Sequence, residues 1–119
     1  MKPQPVMSLD EFRVKSNQLQ TKRSEARRDY ERYSQEEAEA DRQYRMTLAS
    51  AFAQCKANDM TAAQAEVEAH ARASDAKLKR DLAKSLAKSA LLRIEQLEAD
   101  RATLRVVADW SQRIEGVTA

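Results

Sequence analysis

Apolar and polar residues alternate along this chain with a helical period. In its first half, Phe12, Leu19, Ala26 and Tyr33 recur every seven residues. Tyr30, Glu37, Tyr44 and Ala51 supply the alternate position of the same face, and Leu48, Phe52 and Cys55 widen it towards its end. In the second half, Leu78, Leu82, Leu86, Ala90, Ile94, Leu97, Leu104, Val107 and Ile114 form a longer and more apolar stripe. Neither is pure: Glu37 and the stretch from Glu36 to Asp41 dilute the first, and Arg101 interrupts the second. The seam between them is expected to be weakest in its middle.

No glycine or proline lies between Val6 and Glu115. A β-rich chain of this length needs several of both at its turns, so the pattern predicts an all-α protein whose breaks come from capping residues. Ser8-Leu9-Asp10-Glu11 reads as a capping box and starts a helix over about 8–57. Asn58-Asp59-Met60-Thr61 offers a stop, and Thr61-Ala62-Ala63-Gln64 a second capping box for a short helix over about 61–72. Ser74-Asp75 is expected to cap a third helix over about 75–115, with Gly116 as the residue that ends it. Residues 1–7, with Pro3 and Pro5, read as a disordered segment ahead of a single helical domain, 8–116. Short connections favour antiparallel neighbours. The expected fold is an antiparallel, long helical hairpin, coiled-coil-like, joined by a short helix whose Met60, Ala63, Val67 and Ala71 are spaced to cap the hairpin's end.

Composition sharpens this picture. Charged residues make up 34% and aromatics 5% of 119 residues, and much of the 42% that is hydrophobic is alanine, which implies one domain with a thin core. Leu91, Leu92, Val106 and Trp110 lie off the main stripe of the third helix and still need cover. A hairpin burying one stripe per helix gains little beyond its ordering entropy, set at ~25 cal/mol per Å² against ~1.5 kcal/mol per residue. A homodimer with a four-helix arrangement is therefore expected, and these four residues are the candidate interface. No segment approaches the ~20 apolar residues of a membrane span, and Met1 to Met7 lacks the apolar run of a secretory signal, so a cytoplasmic location with no membrane partner is expected.

The net charge of +2 is small, yet the charges are blocked. Arg13, Lys15, Lys22, Arg23, Arg27 and Arg28 precede an acidic stretch running from Asp29 to Asp41. Lys77, Lys79, Arg80, Lys84, Lys88 and Arg93 precede Glu95, Glu98 and Asp100. In an antiparallel hairpin Glu36 to Asp41 would lie roughly across from Lys88 to Arg93, an arrangement that sets register more than stability, since exposed pairs give only ~0–1 kcal/mol. The other reading makes Arg13, Lys15, Lys22, Arg23, Arg27, Arg28, Lys77, Arg80 and Lys84 contacts to nucleic-acid phosphates. These groups lack the interleaved aromatics that stack on bases.

Catalytic chemistry has little foothold. One histidine, His70, and one cysteine, Cys55, leave no zinc-finger spacing and no internal disulfide. A Cys55–His70 dyad would sit near the turn end of the hairpin, but a thiol on an Ala-rich apolar stripe is more commonly inert. Glu36, Glu37 and Asp41 gather carboxylates without the Glu-x-x-His element that bundle metal sites use. A phosphate-binding loop needs glycines that are absent here. Tyr30, Tyr33 and Tyr44 read as seam residues. The expectation is a non-enzymatic protein with no cofactor and no metal.

The order Tyr44-Arg-Met-Thr-Leu48, the break at Asn58-Asp-Met-Thr61-Ala-Ala-Gln-Ala-Glu66, then Leu78-Lys-Arg-Asp-Leu82 and Leu91-Leu-Arg93-Ile-Glu-Gln-Leu97 through Leu104 resembles small helical proteins of tailed phages and prophages. The resemblance covers about residues 40 to 114 and carries no functional residues with it. It implies an accessory protein of the host cytoplasm, encoded near recombination or single-strand annealing genes. Together these readings predict a helical interaction protein that binds another protein in DNA recombination or replication, with auxiliary DNA or RNA binding as the alternative.

Overall fold

The computed structural model describes residues 7–118, with side chains to 114. Three helices follow one another: α1 (Leu9–Ala57), α2 (Ala62–Arg72) and α3 (Ser74–Thr118). The long helices α1 and α3 pack against each other as a helical hairpin, and the fold is all-α. At ~1.5 Å per residue, α1 is roughly 70 Å long.

Local chemistry explains each junction. The Glu11 amide donates to Ser8 Oγ at 3.2 Å, closing the first turn of α1. At the other end, the Met60 amide reaches the Cys55 carbonyl and the Asp59 amide the Lys56 carbonyl, with Asp59 at φ 63°. That is a Schellman closure with aspartate in the left-handed position that glycine usually takes. Thr61 then opens α2 with both halves of a capping box, its hydroxyl accepting from the Gln64 amide and its own amide donating to Gln64 Oε1, each at 3.2 Å. Between α2 and α3 only Ala73 leaves the helical assignment, at φ −90°, ψ 4°. Its carbonyl accepts from the Lys77 amide, so Ala73 holds the capping position expected of Ser74, which is instead the first residue of α3. Ala73 is wholly buried, and a small apolar side chain fits there without a polar group to satisfy. The helix also continues through Gly116 to Thr118 instead of stopping before it, because a glycine lowers helix propensity by ~1 kcal/mol without forbidding the conformation.

The contacts fall into two compact units. The first comprises Met1–Arg28 with Ala90–Ala119, and the second Asp29–Ser89. In the first, α1 and the later part of α3 run antiparallel: the Met7 amide donates to Ser111 Oγ at 3.0 Å, and Arg23 pairs with Glu98 at 3.1 Å. Met7 is buried, so it belongs to the packed structure and not to the segment read as disordered; residues 1–6 lie outside those described. Ala26, Leu97, Leu104, Ala108 and Ser111 form the buried line of this unit. In the second unit Ala51, Cys55, Ala65, Ala69, Ala73, Ala83 and Ala87 are buried, and Arg80 lies over the Tyr44 ring at 4.4 Å.

On α1 the covered positions are the expected ones: Phe12, Leu19, Tyr30, Tyr33, Glu37 and Tyr44 are half-buried, and Ala26, Ala51 and Cys55 are buried. The exception is Phe52, which is exposed. The first half of α3 corrects the expected stripe. Leu78, Leu82 and Leu86 are exposed at 68%, 61% and 38%, while Ala76, Ala83, Ala87 and Ala90 are covered. Residues four apart drift around a helix by about 40° per step, whereas the alternating three-and-four spacing of the alanines stays on one side. The short helix needs the same correction: Ala65 and Ala69 are buried, while Val67 is 73% exposed and Ala63 and Ala71 are exposed too. In both places the smaller residue takes the contact side, which permits closer approach of the backbones.

Two substitutions distinguish the seams. Ala87→Leu should lower stability by ~1–3 kcal/mol through overpacking, while Leu78→Ala should change it by under ~0.5 kcal/mol, both read from urea unfolding followed by helicity. At the α1 end, Asp59→Gly should raise stability by ~0.5–1 kcal/mol in the same assay, by removing the cost of a left-handed non-glycine residue.

Candidate functional site

The helical seam orders the surface from which any site has to be built. With positions three and four apart buried, the opposite positions point outward. On α3 in the first unit these include Leu92, Gln96, Ala99, Thr103, Val106 and Trp110, and all six are exposed. Leu92, Val106 and Trp110 are exposed at 55%, 67% and 58%, and Leu91 beside them at 40%. In the second unit the outward positions include Leu78, Leu82, Ser85 and Ser89, again exposed. None of these ten side chains is charged, although 34% of the chain is. Leu91, Leu92, Val106 and Trp110 are exposed as the sequence predicts, whereas Leu78 and Leu82, predicted on the buried stripe, lie outside it. The seven-residue spacing of the intervening alanines was the available signal for the outward placement.

The basic candidates divide between the units. In the first, Arg13, Lys15, Lys22, Arg27 and Arg28 are exposed, whereas Arg23 is half-buried. Arg23 bonds to Glu98 at 3.1 Å, and its Nε is buried without a partner, so this guanidinium is drawn into the helix contact. In the second unit Lys77 and Lys84 are exposed, and Arg80 is half-buried between Tyr44 and Asp81, to which it donates through both Nε and an Nη. Two of the nine candidate phosphate contacts thus have protein partners. The acidic block is partly engaged along α1 itself: Glu39 pairs with Arg42 at 3.1 Å and Asp41 with Arg45 at 2.9 Å. The Gln43 amide, followed by Arg42, holds the Glu39 carboxyl below its ordinary range.

Cys55 and His70 occupy different settings. Cys55 is wholly buried. His70 is exposed on α2 and lines an open groove of about 380 Å³ with Arg45, Leu48, Ala49, Phe52, Glu66 and Ala69, a set that does not include the thiol. In the first unit a second groove of about 450 Å³ runs between Leu19 and Leu104, edged by Lys15, Lys22 and Asp100. Among the described residues, no group of three or more His, Cys, Asp or Glu side chains is placed to hold a metal ion, and no helix is long and apolar enough to cross a membrane. What the arrangement offers chemically is apolar and charged surface. Set against known proteins, the chain matches no family model, no curated protein and no solved structure.

Proposed function

We infer that this chain is a non-enzymatic helical interaction protein whose working surface is the outer side of α3. The observation that supports the reading most strongly is the exposure of Trp110, Val106 and Leu92 on one uncharged line. Large apolar side chains scattered singly over a surface need no explanation, but a line of them on one helix face marks a contact. Tryptophan is enriched among the residues that dominate binding energy. The partner is another protein, and a homodimer with a four-helix arrangement is part of the same reading. The resemblance to phage and prophage proteins adds a setting, an accessory factor in the host cytoplasm that takes part in DNA recombination or replication.

Trp110→Ala tests this reading. Pull-down from the native host should retain a partner with the natural chain and lose it with the variant, at unchanged helicity; retention by both, or by neither, contradicts it.

A second reading, auxiliary DNA or RNA binding, is favoured by the exposure of Arg13, Arg27 and Arg28 in the first half of α1. It predicts an affinity that falls steeply as salt rises, with a log–log slope of about −0.7 to −0.9 per phosphate neutralised. A dissociation constant that stays constant between about 50 and 300 mM salt contradicts phosphate-driven binding.

A further inference from the structure

We propose that the groove between α1 and the later part of α3 takes a third helix: an amphipathic helix of a different protein, whose edge towards α1 carries carboxylates seven residues apart. The groove lies within the first unit, and none of Leu92, Val106 and Trp110 lines it, so it is a second surface beside the outer side of α3. Its floor is apolar, with Leu104 and Met7 buried and Leu19 half-buried.

The shape suits a helix. Lys15, Gln18 and Lys22 form one wall and Asp100, Thr103 and Val107 the other, each stepping by three and then four residues along one side of its helix. Seven residues at ~1.5 Å each make both walls roughly 10.5 Å long, or two turns. A helix laid there seats apolar side chains three, four and seven residues apart over Leu19 and Leu104 while its own backbone groups stay paired. An extended peptide gains no such match, because α1 and α3 hold their backbone donors and acceptors inside the helices and offer no strand edge.

The charges on the walls select which helix. Lys15 and Lys22 are exposed, and among the described residues neither has an ion-pair partner. The antiparallel register fixed by the Met7–Ser111 and Arg23–Glu98 contacts brings Lys22 level with Asp100 and Lys15 level with Val107. Asp100 is held along its own helix, where it accepts from the Gln96 side-chain amide at 3.0 Å. One wall therefore presents two unanswered cations, and the other a single anion at one end with an apolar side chain at its far end. The complementary occupant sets acids against Lys15 and Lys22 and one base against Asp100. A nucleic-acid strand fits less well: its phosphates would approach Asp100, and no aromatic ring lines the groove to stack on its bases.

Two synthetic helices with the same leucine stripe test the proposal, one with glutamates seven apart on a single edge and the other with lysines in their place. Each is labelled with fluorescein and titrated with the full chain. The glutamate helix should bind about tenfold more tightly than the lysine helix, and the chain carrying Lys15→Glu and Lys22→Glu should reverse that order at unchanged helicity. Trp110→Ala should leave both affinities as they are. Failure of both helices to bind, equal affinities, or tighter binding of the lysine helix to the natural chain overturns the proposal. Binding lost with Trp110→Ala but kept with the two lysine variants also overturns it, and leaves the outer-face reading standing. If the lysine variants instead abolish self-association in sedimentation, a second copy fills the groove and the proposal fails.

Discussion

Close packing through alanine is the constraint on which this structure depends. The covered side of α3 presents Ala76, Ala83, Ala87 and Ala90 before it reaches Ile94, Leu97 and Leu104, while α1 supplies Tyr30, Tyr33 and Tyr44 to its own covered side. The same choice limits the energy gained, because an alanine buries little more than one methyl group, and hydrophobic stabilisation follows area at ~25 cal/mol per Å². The largest fully buried side chains are Cys55 and Ser111, neither of them a bulky hydrophobe. A protein that leaves Leu78, Leu82, Leu92 and Trp110 outside a core this thin has apolar surface still to bury.

Polar groups inside the seam are accommodated in different ways, and this bears on specificity. Ser111 is buried and accepts from the Met7 amide, so its cost is offset and Met7 is tied to α3. Arg23 reaches Glu98 but leaves Nε unpartnered, a residual cost in a contact that helps define which residues of α1 and α3 meet. Arg80 lies against Tyr44 and turns its donors to Asp81. Partly buried charges of this kind add little stability, because desolvation offsets most of the Coulombic gain.

Much of the architecture is legible in the sequence, because glycine and proline are absent over the helical span and capping residues stand where the breaks fall. The α1 stripe is readable for the same reason, since its large residues hold the seven-residue spacing themselves. The first half of α3 is not readable by weight of hydrophobicity: Leu78, Leu82 and Leu86 outweigh the alanines in apolar content, but their four-residue steps drift off the contact side. Val67 misleads in the same way on α2, where Ala65 and Ala69 make the contact. The exposed residues Leu91, Leu92, Val106 and Trp110 are identifiable as off-stripe positions, whereas the extent of the uncharged face emerges only once Leu78 and Leu82 are placed outside. The pairing of Arg23 with Glu98 depends on tertiary register, which composition and local spacing do not encode.

The central claim is that α3 turns Ala83, Ala87, Ala90, Leu97 and Leu104 inward and Leu78, Leu82, Leu92, Val106 and Trp110 outward. Single cysteines placed along α3 and labelled with a thiol reagent, in dilute solution where association is negligible, measure this directly. Labelling should be slow at 83, 87, 90, 97 and 104 and fast at 78, 82, 92, 106 and 110. Slow labelling at 78, 82 and 86 with fast labelling at 83 and 87 would contradict the account.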